Sequence, residues 1–158
     1  MTAQSKCAES AGSVARVGAR IAVVGPGAVG ATVAAYLHKA GHPVVLCGRT
    51  RRDQLDVRPD GGDRIVVPGP VHTDPGELRG PPVGLVLLAV KATQLEAAAK
   101  WLAVLCDEHT TVCVLQNGVE QVELVQPHCP QSTVVPASCG SAPRPSPAVG
   151  SGCAASPG

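Results

Sequence analysis

The stretch VVGPGAVGATVAAYLHKAGHPVVLCGRTRR, residues Val23–Arg52, decides the architecture. It reads as the end of an apolar strand, a glycine turn, a helix, a second strand and a cationic end. The run RIAVVG, Arg20–Gly25, is short, apolar and closed by glycine, the pattern of a strand buried in a parallel sheet. Ala28–Ala40 is rich in alanine, with Val29, Val33, Ala34 and Leu37 on a helical period. Gly41 then supplies a left-handed stop. PVVLC, Pro43–Cys47, is the second strand, with its proline at the entry, where a missing N–H is tolerated.

Between the first strand and the helix, Gly25-Pro26-Gly27-Ala28-Val29-Gly30 fits the spacing G-x-G-x-x-G. Each glycine has its own physical task. Gly25 permits a sharp turn, Gly27 lets backbone approach a pyrophosphate, and Gly30 lets the helix lie close to the strand. The start of the helix adds unpaired N–H groups and a partial positive charge that suit phosphate. At the end of the second strand, sheets that bind NAD place an acid against the ribose 2′-hydroxyl. This chain has Cys47, Gly48, Arg49, Thr50, Arg51 and Arg52 there. A guanidinium pairs with a 2′-phosphate, often through two hydrogen bonds, where an acid would repel it. Arg49 is the first candidate, Thr50 adds a hydroxyl, and Arg51 and Arg52 have the bland reading of solvated cations. The expected cofactor is NADPH/NADP+.

Further along, Arg64–Val67 and Val71–Thr73 are short strand candidates in a polar segment broken by Gly and Pro. VGLVLLAV, Val83–Val90, is the most apolar strand. Thr93–Leu105 reads as a helix capped near Thr93, with Leu95, Ala98, Ala99, Leu102 and Leu105 on one face. Thr110–Gln116 is a strand, Val119–Val125 a helix, and Thr133–Pro136 the start of a sixth strand. Strands alternating with helices predict an α/β, Rossmann-like, doubly wound parallel sheet. Ligands of such sheets sit beyond the carboxyl ends of the strands. Lys91 stands just past one strand, and Gln116 and Asn117 just past the next, a cation and amides suited to a nicotinamide and an anionic substrate. Each also has an ordinary reading: a loop lysine is usually solvated, and Asn-Gly is a common turn.

The bulk numbers set limits. The chain has 158 residues and a net charge of +1, so nothing draws it globally to nucleic acid or an anionic membrane. No apolar run approaches the ~20 residues of a membrane helix. With no Phe, the core must come from Val, Leu, Ala and Ile. Seven scattered cysteines, an odd count without C-x-x-C, indicate a reducing, cytoplasmic setting. His128-Cys129 lacks a second ligand pair, so no metal site is expected, since zinc takes about four ligands.

VVGPGAVGATVAAYL, LLAVKATQ and LQNGVE, in that order, resemble the N-terminal domain of ketopantoate reductase (2-dehydropantoate 2-reductase). The resemblance runs over roughly residues 20–137. It implies NADPH-dependent reduction of 2-dehydropantoate, a small 2-oxo acid, to (R)-pantoate in pantothenate and coenzyme A synthesis. By the same resemblance the turn Gly25–Gly30 holds the pyrophosphate and Arg49 faces the 2′-phosphate. Lys91 then contacts the cofactor near the substrate pocket, and Asn117 contacts both nicotinamide and substrate.

Members of that family continue into a helical domain that carries the lysine proton donor, so no catalytic residue is expected within this chain. Residues 1–18 read as a flexible leader without the apolar segment of a signal peptide, 19–137 as the NADP-binding domain. Residues 138–158 contain no Leu or Ile and have the composition of a disordered tail, of the kind a frameshift in a GC-rich gene produces. The expectation is a cofactor domain with the family's C-terminal helical domain missing, poorly active by itself, since loss of a positioned acid costs ~10²–10⁴ in rate. Other readings stay open: a reductase of another 2-oxo or 3-oxo acid, a nucleotide-binding module, or an inert remnant. Nothing in the residues sets the oligomeric state.

Overall fold

The computed structural model describes residues 20–115 and 120–137. Six strands form one parallel sheet: β1 (Ile21–Val24), β2 (Val44–Cys47), β5 (Val71–His72), β6 (Leu85–Leu88), β7 (Thr111–Val114) and β8 (Thr133–Pro136). Their spatial order is β5-β2-β1-β6-β7-β8, so the chain winds outward from β1 to both edges. Three α-helices complete the described secondary layers: α1 (Ala28–Lys39), α2 (Leu95–Leu105) and α3 (Glu120–Val125). The expected Rossmann-like architecture is the one observed.

Alternation along the strands explains the two cores. In a strand, successive side chains point to opposite faces. Ala22 and Val24 join Val86, Leu88, Val112 and Val114 in the core that α2 covers with Leu95, Ala98, Trp101, Leu102 and Leu105. Ile21 and Val23 point the other way, with Leu46 and Leu87, into the core closed by Ala34 and Ala35 of α1. The central strands are therefore apolar at nearly every position because both faces are covered.

The second core has a lid that the sequence did not reveal. Strands β3 (Gln54–Val57) and β4 (Ile65–Pro68) form a separate antiparallel pair that contributes Leu55, Val57 and Val67 to it. Only the second of these strands is expected from the residues. Gln54-Leu55-Asp56-Val57 alternates over four residues, too short a run to stand out from a polar loop. Across the pair, Arg64 Nε donates to both carboxylate oxygens of Asp56 at 2.8 Å.

Helix details also differ from expectation. Val29 is 48% exposed rather than on the packed face of α1. A 3₁₀ turn at Ala92–Gln94 precedes α2, and no side chain caps either element, so Thr93 is not the cap. Gly41 adopts φ +84°, the left-handed stop expected after α1.

Candidate functional site

Parallel register aligns the carboxyl ends of the inner strands. Val24 lies beside Cys47 on one side and Leu88 on the other, and Leu88 lies beside Val114. The segments that follow these strands therefore leave the sheet at one edge. There they enclose a cleft of about 750 Å³. Its walls are the glycine turn after β1, the segment Gly48–Thr50 with Arg52 after β2, the segment after β6, and the first turns of α2.

The three glycines of the turn do different work. Gly25 has φ +86°, and a Cβ there would lie 2.6 Å from Cγ1 of Val90. A Cβ on Gly30 would lie 2.5 Å from the carbonyl oxygen of Gly25 and 3.0 Å from Cβ of Ala89. The protein's own packing thus demands both. A Cβ on Gly27 would meet nothing within 4 Å. Its φ of −76° suits any residue, so neither packing nor backbone geometry explains that glycine. The open space beside it leaves the backbone accessible from the cleft. Gly27 is also the N-cap of α1 and offers no side-chain oxygen to the first turn. The helix's first N–H groups have no intrahelical acceptor, and they belong to Ala28, Val29 and Gly30. Pro26, Ala28 and Val29 line the cleft with Gly25 and Gly27.

The loop after β2 is pinned at both ends. Gly48 N–H donates to the carbonyl of His72 at 2.9 Å, and the carbonyl of Arg52 accepts from Val71 N–H at 2.8 Å. Arg49, Thr50 and Arg52 line the cleft. Arg49 is exposed and makes no ion pair among the described residues. Arg51 is absent from the lining; its Nη1 lies 2.9 Å from Oε1 of Glu77.

Lys91 follows β6 by three residues, is exposed, and stands on the same cleft. The described lining thus holds three cations, Arg49, Arg52 and Lys91, and no carboxylate. That balance suits an anionic ligand. Leu115, whose N–H donates to Leu88 at 2.8 Å, carries the chain after β7 to this edge. Gln116 and Asn117 lie outside the described residues.

Sequence reasoning missed the α2 wall: Gln94, Ala97 and Trp101. Trp101 is only 6% exposed and belongs to both the core and the cleft. It stands one helical turn beyond Ala97 and Ala98, but that spacing does not say which face of the helix borders the cleft. Cys47 also borders the cleft, where burial pushes its thiol up to about 12, offset in part by the charge of Arg20. Among the described residues no group of three or more His, Cys, Asp or Glu is placed to hold a metal. No helix among them is long and apolar enough to cross a membrane.

The comparisons with known proteins agree with this geometry. The family model for ketopantoate reductase PanE/ApbA matches residues 21–143. The 2-dehydropantoate 2-reductase of Mycobacterium tuberculosis is 68% identical over 117 residues, 74% of this chain and 39% of that protein. The enzyme of the same name from Caulobacter vibrioides is 43% identical over 103 residues, 65% of this chain and 34% of that protein. Among solved structures, a PanE/ApbA family ketopantoate reductase from Ralstonia eutropha JMP134 superposes with a TM-score of 0.60 at 28% identity, over 74% of this chain and 40% of that one. The chain therefore spans about two-fifths of the length of these relatives. It belongs to the ketopantoate reductase family.

Proposed function

We propose that this member of the ketopantoate reductase family binds NADPH in the cleft at its sheet edge. In this reading the chain forms the cofactor-binding part of an NADPH-dependent reduction of 2-dehydropantoate to pantoate. The family and the Rossmann-like fold imply a nicotinamide cofactor. The choice of NADPH rests on one observation: Arg49, without an ion-pair partner among the described residues, borders the same cleft as Gly27.

The residues fit the group. The glycine turn and the first N–H groups of α1 hold the pyrophosphate, with Gly27 leaving its oxygens room to approach the backbone. Arg49 pairs with the 2′-phosphate, and Thr50 and Arg52 add a hydroxyl and a second charge. Lys91 would contact the cofactor near the substrate pocket, and Asn117, outside the described residues, would contact both nicotinamide and substrate. When bound, the nicotinamide supplies the hydride that reduces the keto carbon. Trp101 and Ala97 present apolar surface on the α2 wall of the cleft. A cytoplasmic location belongs to the same proposal and fits the buried, unpaired thiol of Cys47.

Titration of the 158-residue chain with NADPH and with NADH, following nicotinamide fluorescence, tests the reading. Two charge-assisted contacts at ~1.5–3 kcal/mol each predict an NADPH preference on the order of a hundredfold or more. Equal binding of the two cofactors would remove the 2′-phosphate from the assignment of Arg49. Reduction of 2-dehydropantoate is then assayed on the same sample, with a slow rate expected.

A further inference from the structure

The three guanidinium groups after β2 do not act alike. Arg49 and Arg52 border the cleft, whereas Arg51 is engaged elsewhere, 2.9 Å from Oε1 of Glu77. The other carboxylate oxygen of Glu77 lies 3.2 Å from Nδ1 of His72. Glu77 ends the 3₁₀ turn Pro75–Glu77, which Asp74 caps by accepting from Gly76 N–H at 2.8 Å. His72 ends β5, the strand paired with β2, and its carbonyl accepts from Gly48 N–H. The backbone of one corner of the sheet therefore sets both the arginine loop and the carboxylate that draws Arg51 aside.

We propose that Glu77 is a specificity-determining residue for the cofactor: it holds Arg51 out of the cleft and caps the positive charge offered to a 2′-phosphate. The inference rests on the reading that this loop faces the phosphate-bearing ribose. An anion at that position meets two guanidinium groups on the cleft, while the third, off the cleft, is paired with a carboxylate. Neutralising Glu77 removes a repulsive charge and frees a third guanidinium, so both effects strengthen phosphate binding. The cap has a use in turnover. Affinity shared by reduced and oxidised cofactor does not speed the chemical step, and slow product release limits many enzymes.

The test measures the ratio of NADPH to NADH affinity in the full 158-residue chain, at low and at high salt. Glu77→Gln should raise the ratio about three- to fivefold, the limit set by so exposed an ion pair, and the gain should shrink as salt screens it. The double variant Glu77→Gln/Arg51→Ala should lose most of that gain. His72→Gln, which leaves the Arg51–Glu77 pair intact, should stay within about twofold of the unmodified chain. A ratio that is unchanged or lowered in Glu77→Gln, with an unaltered circular dichroism spectrum, overturns the proposal. So does a tenfold fall in Arg51→Ala alone, a result that needs no change at Glu77 and shows Arg51 already on the phosphate. The underlying reading fails separately. An unmodified chain indifferent to the 2′-phosphate, with a preference appearing in Glu77→Gln, would sink the role of Arg49 and support that of Glu77.

Discussion

Gly30 packs so closely on Gly25 that a Cβ at residue 30 would sit 2.5 Å from the Gly25 carbonyl oxygen, while Gly27, between them, faces open space. The contact joins the start of α1 to the end of β1 and places the helix N-terminus over the cleft. Gly30→Ala should therefore destabilise the fold by about 1–3 kcal/mol, read as a lowered Tm, because the obstacle is backbone and cannot rotate aside. Gly27→Ala should lower Tm less than Gly30→Ala does, by no more than the loss of an N-cap glycine, and weaken NADPH and NADH alike, since both carry the pyrophosphate. A Gly27→Ala chain that binds both cofactors normally would show that no ligand backbone approaches there.

The cations after β2 should separate by mutation. Arg49→Ala is expected to weaken NADPH by tenfold or more, roughly the loss of one charge-assisted pair, with NADH little affected. Arg51→Ala should change neither by more than about twofold, because an exposed ion pair such as Arg51–Glu77 contributes ~0–1 kcal/mol. Equal losses of both cofactors in Arg49→Ala would count against the 2′-phosphate contact.

Trp101 is the single tryptophan of the chain and borders the cleft while nearly buried. Its emission should fall on addition of NADPH, with excitation transferred to the reduced nicotinamide. NADP+, which lacks that absorption band, should quench less. Emission that ignores NADPH while nicotinamide fluorescence reports binding would put the cofactor away from the α2 wall.

Cys47 makes stability depend on alkaline pH. Its folded thiol is raised from 9.0 to about 12, chiefly by burial. Below the unfolded value both states are protonated and the stability is intact. As pH rises from about 9 towards 12 the unfolded thiol ionises first, and stability falls progressively. Urea unfolding of Cys47→Ala should show a shallower loss between pH 9 and 10.5 than the unmodified chain. Identical slopes would mean that other groups govern the alkaline limb.

Much of the fold was readable because its signals are local. Ile21–Val24 and Leu85–Leu88 are apolar throughout, as strands covered on both faces must be. Gly25 and Gly41 mark a sharp turn and a helix stop through their own backbone angles. The spacing of Gly25, Gly27 and Gly30 placed a phosphate-suited helix start directly after β1, and the absence of an acid from Cys47 to Arg52 was visible in the residues themselves. The hairpin of β3 and β4 escaped because four alternating residues in a polar stretch carry little periodic signal, and their burial depends on α1 being there to cover.

What tertiary structure alone decided are relations between distant residues. Arg49, Arg51 and Arg52 are chemically the same in sequence. They differ in space because Glu77, 26 residues beyond Arg51, is carried by β5 to the corner beside β2. Trp101 reaches the cleft because α2 runs back across the sheet from Lys91, and no local pattern states which face it covers. Charge, turn and periodicity are properties of neighbouring residues, and they are written in order along the chain. The pairing of an arginine with one acid rather than with solvent or a ligand depends on which strands lie side by side, and only the folded sheet sets that.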